Sequence, residues 1–221
     1  MNGAYPEILG RVQAAAAAAG HQACLIAVSK TKPAAAIRAL ARLGQRAFGE
    51  NYVQEALVKQ AELADLDLEW HLIGPLQSNK CREVALHFDW LQSLDREKLV
   101  EPLNRFRAAA MPPLNVLIQV NIDAEPGKSG CAPAAVAHLA RRVADAPRLR
   151  LRGLMAIPQP APDADVRRGA FERMQALYAQ TKSTFPQMDT LSMGMSDDFE
   201  LAIAAGASMV RIGTALFGAR T

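Results

Sequence analysis

"TLSMGMSDDFELAIAAGASMVRIGTALFGAR", Thr190 to Arg220, contains the same unit twice. Thr190–Ser192 and Met209–Ile212 are short strand-like runs, and each leads into a small-residue loop, "SMGMS" from Ser192 to Ser196 and "RIGT" from Arg211 to Thr214. Between them, Asp198–Ala205 has a helical pattern that stops at Gly206. In a (β/α) barrel, the loops after the last two strands often form a phosphate site from backbone N–H groups and a helix N-terminus. Ser196 brings a hydroxyl, Gly213 permits close backbone approach, and Thr214 adds a hydroxyl and an N–H. Ser196 has a second reading, compatible with the first: it N-caps the helix through Ala205, with Asp197 and Asp198 favouring the positive end.

The alternation continues toward the N-terminus. Strand-like runs occur at Cys24–Ser29, Arg46–Gly49, Glu69–Ile73, Trp90–Ser93, Asn115–Ile122 and Arg150–Ala156. Amphipathic stretches separate them at Pro33–Leu43, Tyr52–Ala64, Arg96–Ala109, Pro133–Asp145 and Ala164–Lys182. "LIAV" and "NVLIQVNI" are apolar on both faces, as parallel strands covered on each side by helices must be. Pro33 and Pro133 suit first-turn positions, and Gly44 and Gly206 suit C-caps. The expected class is α/β: one (β/α)8 TIM barrel spanning residues 1–221 as a single domain, with an extra helix near Tyr5–Ala19. A doubly wound open sheet is the competing architecture.

Half of the 221 residues are apolar and 21% are charged, a globular composition with ample core. A net charge of +3 is too weak and too dispersed to imply nucleic acid. The apolar stretch Ala14–Ala19 is too short to span a bilayer, and the N-terminus has no signal-peptide pattern, so a cytoplasmic location is expected. Cys24, Cys81 and Cys131 lie far apart, and the four histidines lack ligand spacing, so neither disulfides nor a metal site is expected. "GKSG" at Gly127–Gly130 lacks the earlier glycine of a P-loop, because Ile122 stands there, and "GMSDD" has Asp198 where a nucleophile elbow needs glycine.

In "LIAVSKTKP", Lys30 follows a buried strand and precedes a helix, which places it over the active end of a barrel. Partial desolvation there disfavours the ammonium, as a Schiff-base amine requires. "FGENY", "WHLIGPLQSNK" and "NIDAEPGKSG" bring Asn51, His71, Asn79, Lys80 and Lys128 to the same rim, a ligand site by convergence.

"AVSKTKP", "FGENYVQE", "EWHLIGPLQSNK", "GLMAIP" and "SMGMSDDFELAIAAGASMVRIGTALFGAR" together closely resemble the YggS-like family of pyridoxal phosphate homeostasis proteins, from about Leu25 to Arg220. The resemblance implies the fold-type III barrel of the alanine racemase N-terminal domain and pyridoxal 5′-phosphate as cofactor. It implies Lys30 as the Schiff-base lysine, Ser196, Gly213 and Thr214 as phosphate contacts, and Arg211 facing the pyridine nitrogen. Asn51 and His71 would lie near the ring. Cys131 is a position that the resemblance leaves uninterpreted.

An arginine beside the ring nitrogen favours its unprotonated form, which weakens the ring as an electron sink. Racemisation also needs a second acid–base group on the opposite face of the substrate, which the alanine racemases draw from a further domain not expected here. The leading expectation is therefore a monomeric carrier that buffers pyridoxal phosphate or delivers it to apo-enzymes. A pyridoxal-phosphate-dependent amino-acid racemase is the alternative.

Overall fold

The structure, a computed structural model, describes residues 4–159 and 161–218. Ala219 and Arg220, the tail of the resemblance, lie outside them. Eight strands form a closed parallel barrel in chain order, and β1 pairs with both β2 and β8. They are β1 (Cys24–Val28), β2 (Ala47–Glu50), β3 (Glu69–Leu72), β4 (Trp90–Leu94), β5 (Leu114–Val120), β6 (Leu149–Ala156), β7 (Thr190–Ser192) and β8 (Met209–Ile212). Closure sets Cys24 beside Met209, Leu25 beside Val210, Ile26 beside Arg211 and Ala27 beside Ile212. The open doubly wound sheet is thereby excluded.

The helices are α1 (Ala4–Ala18), α2 (Ala34–Arg42), α3 (Val53–Glu62), α4 (Cys81–His87), α5 (Val100–Phe106), α6 (Val136–Ala144), α7 (Ala164–Thr184), α8 (Phe199–Ala204) and α9 (Thr214–Phe217). Apolar spacing explains how they dock: α2 buries Ala34, Ile37, Leu40 and Ala41, and α6 buries Val136, Leu139, Ala140 and Val143. Gly44 and Gly206 follow α2 and α8 with φ of 103° and 99°, the left-handed geometry expected after a helix end. Pro33 sits one residue earlier than its sequence suggests, as the cap before α2. Pro133 opens a 3-10 turn, Pro133–Ala135, that runs into α6.

A large apolar core lies between barrel and helices, and a smaller cluster of Ile26, Ala47, Trp90, Leu117, Met155 and Met209 fills the barrel itself. Polar side chains share that interior: His71, Gln92, Ser192 and Arg211 are all buried. After β5 the chain loops out and returns, with an isolated bridge joining Val120 to Cys131. Asn121 N donates to Cys131 O and Cys131 N to Gln119 O, so the loop carrying Lys128 is tied at both ends. The Cys131 thiol itself is buried and pushed up to about 11 by that burial.

Candidate binding site at the barrel mouth

A cavity of about 420 Å³ opens where the strands end. Lys30, Asn51, Ser196, Arg211, Gly213 and Thr214 all line it. Six of the seven residues that the resemblance implies as cofactor contacts therefore converge on one space.

Lys30 stands two residues beyond β1, and its backbone is held by a buried charged cluster. Ser29 Oγ donates to Glu50 Oε1 (2.6 Å), and Lys59 Nζ, from α3, donates to Ser29 O (2.8 Å) and Glu50 Oε1 (2.7 Å). Glu55 Oε1 accepts from Lys59 Nζ (2.6 Å) and from the Thr31 amide (2.6 Å). Thr31 has φ of 62°, a conformation that costs a non-glycine residue free energy and needs such a fixed partner. Glu50 is fully buried, and burial pushes its carboxyl above the ordinary range despite the bonds from Lys59 and Ser29. Sequence reasoning missed this cluster, although Glu50 in "FGENY" and Ser29 beside Lys30 lay within quoted motifs.

The "SMGMS" and "RIGT" loops meet across the mouth. Ala215 N donates to Ser196 Oγ (3.5 Å), while N–H bonding within α9 begins at Leu216, which donates to Gly213 O. The Thr214 and Ala215 amides thus belong to the first turn of a helix and have no partner within it. Ser196 does not N-cap α8. That helix starts at Phe199, and Asp198 Oδ1 accepts from Met195 N (2.7 Å), tightening the loop instead. Gly213 is pressed against β1: a Cβ there would lie 3.3 Å from Val28 O. Gly194 has φ of 93°, and a Cβ on it would meet Ala202 Cβ at 2.5 Å. Gly194→Ala is expected to cost about 1–3 kcal/mol from backbone strain before that clash is counted. Thermal denaturation checks this, and an unchanged midpoint would contradict it.

Asn51 follows β2, and its backbone packs so closely on Gly74 that a Cβ at Gly74 would lie 2.2 Å from Asn51 O. Arg211 is buried, with Nη1 donating to Ser192 Oγ (2.6 Å) and Nη2 to Ala156 O (2.8 Å). Burial lowers its pKa to about 10, with the Asp198 carboxylate acting in the opposite sense, so it stays cationic at neutral pH. Lys128 lines the cavity with Gln119 and Ser129, which the sequence did not single out. Three residues expected at the rim do not line this cavity. His71 lies within β3, fully buried in the barrel interior and not among the residues lining the mouth cavity. Its inward position on a strand, beneath the strand end, takes it away from the rim. Asn79 and Lys80 fall in a 3-10 turn before α4, likewise outside the lining.

Residues 7–221 match the family described as alanine racemase, N-terminal domain. The pyridoxal phosphate homeostasis protein of Pseudomonas aeruginosa is 55% identical over 217 residues, covering 97% of this chain and 93% of that protein. The chain belongs to the pyridoxal phosphate homeostasis protein family. The Escherichia coli K12 protein of the same name is 52% identical over 220 residues, 97% of this chain and 94% of that one. Among solved structures, PipY of Synechococcus elongatus without pyridoxal phosphate superposes with a TM-score of 0.89 at 39% identity, covering 99% of this chain and 100% of that one. PipY with pyridoxal phosphate bound gives 0.82 at 43% identity, over 89% of this chain and 92% of that one. The alanine racemase of Corynebacterium glutamicum, at 20% identity and a TM-score of 0.67, covers 96% of this chain and 60% of that one and shares the barrel fold.

Proposed function

We propose that this chain binds pyridoxal 5′-phosphate at the barrel mouth and buffers or delivers it, with Lys30 as the amine that captures its aldehyde. The observation that carries this reading is the meeting of Lys30, the Ser196 and Gly213–Thr214 loops and the Arg211 cation around one cavity. The donor set fits the group. Pyridoxal phosphate supplies an aldehyde carbon, a phosphate anion and a pyridine ring. Ser196 and the amides that open α9 offer hydrogen bonds to an anion, and the Gly213 backbone admits it because no side chain intervenes. Arg211 presents N–H donors and a permanent positive charge, which suits an unprotonated ring nitrogen.

The same arginine favours holding over turnover. A cation there opposes ring protonation, and with it the electron-withdrawing power that racemisation draws on. The protein would then serve as a monomer in the cytoplasm that passes the cofactor to apo-enzymes requiring it. Among the described residues no helix is long and apolar enough to cross a membrane.

Titrating purified protein with pyridoxal phosphate should produce a visible absorption band. Borohydride reduction and peptide mapping should then place the added mass on Lys30; mass on another lysine, or no band, overturns the reading. The racemase alternative separates on deuterium exchange at the α-carbon of amino acids with protein at substrate-level concentration. No exchange within hours is expected; fast exchange abolished by Lys30→Ala would make the protein an enzyme.

A further inference from the structure

Below the mouth, a file of polar side chains crosses the barrel interior. Arg211 Nη1 donates to Ser192 Oγ (2.6 Å), and Ser192 Oγ donates to Gln92 Oε1 (2.7 Å). Gln92 Nε2 lies 2.9 Å from His71 Nδ1, and His71 Nε2 lies 2.7 Å from Glu69 Oε1. The first four are buried, but the Glu69 side chain is 45% exposed and lines a separate cavity with Cys24, Trp90 and Met209, at the start of the strands. Three side chains, Ser192, Gln92 and His71, thus connect the cation at the mouth with a carboxylate at the opposite end of the barrel.

The direction of every link follows from the chemistry of its end. Arginine can only donate, so Ser192 Oγ accepts from it and gives its one proton to Gln92 Oε1. The amide nitrogen of Gln92 is then turned to His71, which requires a bare Nδ1. The ring proton sits on Nε2 and is donated to Glu69, whose carboxyl that bond holds below its ordinary range, against burial. Two further contacts hold the middle of the file: Gln92 Nε2 also donates to Met209 Sδ (3.1 Å), and the His71 ring stacks on Trp90 at 5.3 Å and 12°. Barrel interiors are usually packed with branched apolar side chains, and a polar file there is tolerated only when each member is satisfied.

We propose that Glu69, His71, Gln92 and Ser192 are positioning residues, a one-way donor relay that fixes the orientation of the Arg211 guanidinium at the mouth before any ligand arrives. The relay is made of the chain's own side chains; its effect on the cofactor rests on the function proposed above. The test therefore has two arms. Nitrogen-15 NMR of the ligand-free protein should show His71 as a neutral ring with the proton on Nε2. Ser192→Ala, which touches His71 only through Gln92, should move the His71 nitrogen signals toward a mixture of tautomers, and Ser192→Thr should restore them. A ring protonated on Nδ1, or signals indifferent to Ser192→Ala, overturns the relay; the wild-type measurement decides even if a variant fails to fold. In the second arm, Gln92→Leu and Ser192→Ala should shift the visible band of the pyridoxal phosphate complex and weaken binding about tenfold, about 1.4 kcal/mol. If wild-type protein binds no pyridoxal phosphate, the proposed function fails while the first arm still judges the relay. If both variants bind with wild-type affinity and spectrum, the relay does not serve the cofactor.

Discussion

Lys30→Ala is expected to abolish covalent capture of pyridoxal phosphate and to weaken what binding remains on the order of 100-fold, about 2.7 kcal/mol. The truncation removes the amine and leaves the Ser196 and Gly213–Thr214 loops in place. Ser196, Gly213 and the start of α9 are held by Asp198, Val28 and their own backbone. The variant should therefore keep a weak, non-covalent affinity that inorganic phosphate competes away. Equilibrium dialysis gives the affinity, and borohydride reduction followed by mass spectrometry gives the covalent fraction. Reducible adduct surviving at wild-type level would show that another lysine does the capturing.

Lys59→Met acts behind the site and is the substitution with the largest expected cost in stability. It leaves Glu50 fully buried with Ser29 as its remaining partner, and removing one member of a buried ion pair costs about 3–5 kcal/mol. At about 2–4 °C per kcal/mol for a chain of this size, the melting temperature should fall on the order of 10 °C. The pH dependence has a definite sign. The Glu50 carboxyl already lies above its ordinary value because burial outweighs Lys59 and Ser29, and losing Lys59 raises it further. A carboxyl raised in the folded state contributes stability below its unfolded pKa and loses it as pH climbs through the folded one. The deficit should accordingly be smaller at about pH 5 than at about pH 8. Adding Glu50→Gln should recover part of it, since the uncompensated charge is gone. Calorimetry across that range checks the slope, and a deficit that grew toward acid would contradict the account.

The barrel was legible because its strands are short apolar runs separated by amphipathic stretches, and all eight lie within a few residues of where the sequence puts them. α4 was not, since seven residues with Cys81, Val84 and Ala85 buried are too few to display a helical period. At the mouth, Lys30, Ser196, Gly213 and Thr214 were readable from position at strand ends. The depth of His71 in the barrel was not readable, for a different reason. Inward and outward residues alternate along a strand, and sequence alone does not say how deep an inward one sits. The same limit hid Gln92 and Ser192, whose partners come from strands distant in the chain, and Lys59, a lysine that looks like a solvated helix face until α3 is packed on β2.

The tie between Val120 and Cys131 means that the segment bearing Lys128 is closed on itself at the base. Its ends cannot drift apart, so any change in its span is absorbed at its crest, over the cavity. Lengthening or shortening it alters the threshold a ligand crosses while the staves of the barrel keep their register, because extra residues in a closed loop add little entropy cost. Evolution can therefore retune how readily this vessel fills and empties without reshaping the vessel.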